Sequence, residues 1–98
     1  MRTLVLTLLL AACASPGAGF RNAARTDLTL EGMRFSVFRS GDEVQVIRLG
    51  WLPRAERGRV PALMMRAAEQ ATGCRAVPGS LRHQLPGDAA EGKLRVTC

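Results

Sequence analysis

Residues 60–73 read VPALMMRAAEQATG, and their spacing decides the central element of the fold. Val60, Leu63, Met64, Ala67, Ala68 and Ala71 fall at offsets 0, 3, 4, 7, 8 and 11, a single apolar stripe of helical period. Pro61 fits a first helical turn, where a backbone N–H has no intrahelical partner and proline therefore loses nothing. Gly73 stands where a left-handed cap ends such a helix. The alanines allow close approach to a sheet and leave Arg66, Glu69 and Gln70 facing water. Met64 and Met65 read as core packing rather than the lining of a cofactor groove, because flexible thioethers fill irregular gaps between elements.

Upstream of this helix the period changes from 3.6 to 2. Leu28 and Leu30 alternate with threonine, Glu31-Gly32 can turn, and Met33, Phe35 and Val37 alternate with Arg34 and Ser36. Ser40-Gly41-Asp42-Glu43 supplies turn chemistry before Val44–Leu49, a β-branched run of strand length, so a hairpin is expected. Gly50, Pro53 and the mixed charges of Arg54, Glu56, Arg57 and Arg59 read as a loop, with Trp51 and Leu52 expected in the core. Downstream, residues 75–91 hold two prolines and two glycines, with a short strand or turn around Leu81 to Leu85. Lys93 to Cys98 alternates as a last strand, with Leu94 and Val96 on one face and Arg95 and Thr97 on the other. The expected fold class is α+β, a small two-layer β-β-α-β domain with one helix packed on an antiparallel sheet.

The chain has 98 residues, enough for one small domain and too few for large catalytic folds. A core of that size buries a modest share of the surface, so a staple, metal or partner is expected to assist it. The residues divide as 1–12 export signal, 13–26 anchor site and tether, and 27–98 domain. Met1 to Ala12 read MRTLVLTLLLAA, with one basic residue before a short apolar run. A membrane-spanning helix needs on the order of 20 residues, so this run serves export and is then removed. The tether ASPGAGFRNAARTD is small and polar, with Phe20 as its one aromatic residue.

Leu10-Ala11-Ala12-Cys13, at the end of the apolar run, resembles the lipobox of bacterial lipoproteins. The resemblance covers only the first 13 residues or so. It implies a diacylglyceryl group on the Cys13 sulfur, cleavage before Cys13 and acylation of the new amino group. Two or three acyl chains hold a protein stably on a membrane, whereas one does so marginally. Ala14 in place of Asp implies, within that class, the outer membrane of a Gram-negative cell and its periplasmic face. Ala12-Cys13-Ala14 also fits ordinary signal-peptide cleavage after Ala14, which would release a soluble secreted protein. The globular part is generally similar to small envelope proteins of Gram-negative bacteria that end in a cysteine-bridged strand.

Three cysteines in an exported chain call for an explanation of the odd one. Lipidation uses Cys13, or the alternative cut discards it, and Cys74 and Cys98 are left to pair in an oxidising compartment. A closed loop of about 24 residues is worth roughly 3 kcal/mol in the chain-entropy model, so the bridge is expected to be structural.

Catalytic signals are sparse. His83 has no second histidine, cysteine cluster or close carboxylate, so no metal ligand set is expected. Ser80 lacks the nucleophile-elbow pattern, and the adjacent Asp42 and Glu43 fit a turn better than an acid–base pair. No catalytic residue and no cofactor are therefore expected. The whole chain carries 14 basic and 8 acidic residues, net +6, and losing the signal removes only Arg2. Arginine binds phosphate and carboxylate bidentately, and anionic head groups or envelope polymers are what an envelope protein meets, not nucleic acid. Arg54, Arg57 and Arg59 are the candidate anion-contact patch. The competing explanation is a solvated face reflecting an arginine-, alanine- and glycine-rich composition. The expected function is a non-enzymatic, lipid-anchored accessory or interaction module of the envelope, contacting membrane and an envelope protein or anionic polymer. The alternative is a soluble periplasmic binding domain for a small ligand or anionic polymer.

Overall fold

Two tight turns fold residues 24–49 into an antiparallel meander of β1 (Ala24–Leu30), β2 (Met33–Ser40) and β3 (Glu43–Leu49). Glu31 and Gly32 both have positive φ, 49° and 80°, the signature of the turn whose twist suits a two-residue hairpin. Asparagine or glycine ordinarily takes the first of these places, and Glu31 is the one non-glycine residue there among those described. Gly41, at φ 64°, opens the second turn inside the closing pair Ser40↔Glu43. The computed structural model describes residues 24–83 and 90–98.

After β3 the chain forms a short 3-10 helix (Arg54–Arg59) and runs directly into α1 (Val60–Thr72). Pro61 lies in the first turn of α1 and Gly73 caps it at φ 73°, its N–H donating to the Glu69 carbonyl at 2.8 Å. Thr72 Oγ1 donates to the Ala68 carbonyl and accepts from the Cys74 N–H, which carries the chain out of the helix. The two-residue β4 (Arg75–Ala76) follows, and β5 (Glu91–Thr97) enters between β3 and β4. The five-stranded antiparallel sheet thus has the order β1-β2-β3-β5-β4.

Alternation along the strands sends Met33, Phe35, Val37, Val44, Val46, Leu94 and Val96 to the face covered by α1. They pack against Val60, Leu63, Met64, Ala67 and Ala68, five of the six residues of the sequence stripe, and Ala71 is partly buried beside them. Gly92 lies beneath this contact: a Cβ there would sit 2.8 Å from Leu81 Cδ1 and 2.9 Å from Met64 Sδ. The opposite face is more polar. Ser36 Oγ donates to Asp27 Oδ1 at 2.7 Å, Arg25 donates to both, and the Arg25 guanidinium lies 5.7 Å from the Phe38 ring centroid. The disulfide Cys74–Cys98 joins the end of α1 to the end of β5, with a Cα–Cα distance of 4.5 Å.

The observed order, β-β-β-α-β-β, corrects the expected β-β-α-β. Strand β1 begins at Ala24, so the boundary placed at residue 27 falls inside it. Ala24-Arg25-Thr26-Asp27 has no apolar alternation of its own and becomes strand by pairing with Ser36–Arg39 of β2. β4 is too short to show a period. The strand or turn expected at Leu81–Leu85 is a single bridge at Arg82↔Lys93, with residues 84 and 85 outside the described residues. The loop at Arg54–Arg59 is the 3-10 helix, and Trp51, expected in the core, is 82 % exposed. The expected export signal, the expected lipid site at Cys13 and the expected tether up to residue 23 also lie outside the described residues.

Candidate functional site

Gly50, at φ 88°, turns the chain sharply after β3, and the next side chain, Trp51, is carried outward instead of into the core. Arg48 Nη1 donates to the Gly50 carbonyl at 2.9 Å and holds this corner. Leu52 stays partly buried against the core, and Arg57 Nε approaches its carbonyl at 3.4 Å. Trp51, Arg54 and Arg57 therefore share one corner of the molecule, at the end of β3 where Leu49 pairs with the exposed Arg34 of β2.

The three arginines of the expected patch have different environments. Arg59 donates to Glu31 of the β1–β2 turn and to Glu56 Oε2 at 3.1 Å. Arg66 of α1 donates to the other oxygen of Glu31 at 2.8 Å. The Glu31 carboxylate thus ties the first hairpin to Arg59, just before α1, and to Arg66 within it, and Arg59 contacts two carboxylates, one of which it shares with Arg66. Arg54 and Arg57 have no ion-pair partner among the described residues, and neither does Arg34. Sequence separation hides this division, because Glu31 stands 28 positions from Arg59.

These contacts shift the acids. The hydrogen bond from Arg59, reinforced by Arg66, holds the Glu31 carboxyl below its ordinary value; Arg25, then Ser36, does the same for Asp27. Glu56 first, then Glu31, raises the Arg59 guanidinium further. Because both carboxyls bind protons more weakly folded than unfolded, their contribution to stability is present above about pH 4.5 and is lost as pH falls through the lowered folded values. The thermal midpoint of the wild type should therefore drop more steeply from pH 5 to about pH 2 than that of Asp27→Asn/Glu31→Gln. Parallel curves would show that neither contact contributes.

A shallow cleft of about 200 Å³ lies on this side of the sheet, lined by Asp27, Leu28, Thr29, Arg34, Phe35 and Leu49. His83 is half-buried, and its Nδ1–H donates to the Glu91 carbonyl at 2.6 Å, which occupies that nitrogen in a backbone bond. Ser80 Oγ donates to the Val77 carbonyl and accepts from the Arg95 N–H, while Glu43 accepts from Arg82 at 3.0 and 3.1 Å. These side chains hold turns and strand edges in place. No group of three or more His, Cys, Asp or Glu residues suited to a metal occurs among the described residues. No helix among them is long and apolar enough to cross a membrane.

Trp51 is the residue the sequence misplaced, and its signal was the preceding glycine, which marks a change of direction instead of a continued strand. Comparison of the chain with protein-family models, with curated proteins and with solved structures finds no match.

Proposed function

We propose that this is a non-enzymatic lipoprotein of the bacterial envelope, acylated at Cys13 and serving as an accessory or interaction module at the periplasmic face of the outer membrane. The observation that carries the reading is the pairing of Cys74 with Cys98. Of the three cysteines, that pairing takes up two, and the remaining one by count, Cys13, stands in Leu-Ala-Ala-Cys at the end of a short apolar run that reads as an export signal. Two or more acyl chains there would anchor the domain, at roughly 0.8 kcal/mol for each buried methylene. The absence of a catalytic role is inferred from what the polar side chains do: His83, Ser80 and Glu43 are each engaged in a bond that shapes the fold.

Metabolic labelling with a palmitate analogue should mark the wild-type protein and not Cys13→Ser. Absence of label from both, together with release into the soluble fraction, would favour the second reading. In that reading the domain is a soluble periplasmic binder of a small ligand or anionic polymer, and the cleft beside Arg34 is its only support.

A further inference from the structure

We infer that the corner formed by Trp51, Arg54 and Arg57 is a contact surface for an anionic lipid bilayer; this rests on the reading of the chain as an anchored lipoprotein. Tryptophan is ordinarily well buried, yet Trp51 is 82 % exposed, and among the described residues it is the one large hydrophobic side chain left in water. An indole combines an apolar body with one N–H donor, which suits the boundary between lipid head groups and acyl chains. A stable protein interface asks for more: about 800 Å² on each partner, with an apolar centre. A lone tryptophan beside unpaired guanidinium groups does not supply that centre.

The charge around Trp51 has the complementary sign. Arg54 and Arg57 follow within six positions, and Arg34 stands opposite Leu49 in the ladder. The nearby acids are already neutralised, Glu56 by Arg59 and Glu31 by Arg59 and Arg66. What faces outward is thus a tryptophan among basic groups, and the matching surface is one of phosphate head groups, which attract such groups over about a Debye length.

The anchor is placed compatibly. Ala24 starts β1 at the end of the sheet away from Trp51, since Ala24 pairs with Arg39 while Leu49 pairs with Arg34. The ends of a seven-residue strand lie roughly 20 Å apart. The chain between Cys13 and Ala24 reaches at most about 40 Å when extended, so an anchored Cys13 and the Trp51 corner can rest on one bilayer, with the sheet lying along it.

Trp51 reports directly on this contact, because the chain has one tryptophan and no tyrosine. The processed protein is placed with vesicles of phosphatidylcholine, with and without phosphatidylglycerol, some carrying brominated acyl chains. Its acylation is read separately by mass spectrometry, so a missing lipid and a missing contact are distinguished. We expect a blue shift and bromine quenching with phosphatidylglycerol that weaken as salt is raised. The equilibrium between quenched and free Trp51 should fall about fivefold for each charge removed in Arg54→Gln and Arg57→Gln, and less for the carboxylate-bound Arg59→Gln. Unchanged emission on anionic vesicles would overturn the proposal, as would an equal shift on phosphatidylcholine alone. A shift produced by poly-glutamate and not by vesicles would overturn it in favour of an acidic protein partner.

Discussion

Replacing Cys98 with serine is expected to cost about 2–5 kcal/mol of folding stability, the range for losing a native bridge from a small domain. The bridge spans 24 positions and closes a loop whose denatured-state entropy is worth about 3 kcal/mol. Its location adds to that. β4 is two residues long, and its ladder partners, Val96 and Thr97, immediately precede Cys98. Without the bridge, that end of the sheet depends on two pairs of residues, on the Val77 N–H donating to the Arg95 carbonyl, on the Arg95 N–H donating to Ser80 Oγ and on the Ala76 N–H donating to Glu69 Oε2. Urea unfolding of Cys98→Ser and Cys74→Ser beside the wild type measures the loss as a lower midpoint. A change under about 0.5 kcal/mol in both would show that the bridge constrains nothing the native contacts do not already hold.

Phe35→Ala should be comparably damaging, at about 3–5 kcal/mol. Phe35 is fully buried in β2, pairs with Leu28 on one side and Arg48 on the other, and heads the largest fully buried side chains of the core. Removing its ring leaves a cavity that neighbours on a hydrogen-bonded sheet cannot readily close. Phe38 is a useful contrast, since it faces the opposite side of the same strand and lies outside the main cluster, beneath Arg25. Phe38→Ala should cost less than Phe35→Ala in the same unfolding experiment; the reverse order would mean that the polar face, and not the helix-covered one, carries the domain.

What could be read from the chain was what periodicity records. The stripe from Val60 to Ala71 and the glycine after it specify α1 because a helix repeats its buried face every three to four residues whatever lies elsewhere. β2 and β3 showed through in the same way, by alternation. β1 did not show in its first half, because Ala24–Asp27 is exposed and owes its extension to a neighbouring strand instead of to its own apolar residues. Trp51 was misplaced because hydrophobicity names what a side chain prefers, whereas the Gly50 turn decides where the backbone takes it. The basic patch was half legible. Composition shows that Arg54, Arg57 and Arg59 lie together, but only the folded hairpin brings Glu31 to Arg59 and separates the bound guanidinium from the two that face solvent.

The insertion of β5 between β3 and β4 has a consequence for the order in which the molecule can assemble. β1, β2 and β3 meet through two-residue turns, contacts that form within microseconds of the chain being present. β5 must instead return across 41 intervening residues from Leu49 to Glu91, and closing so long a loop is the slower, entropically opposed event. Until residues 91–97 are available, the far edge of β3 exposes its unpaired N–H and C=O groups, the kind of edge on which chains aggregate. A chain emerging from its N-terminal side therefore passes through a three-stranded state with an open border. The C-terminal strand seals that border and brings Cys98 to Cys74, so oxidation of the pair marks the moment when the sheet becomes complete.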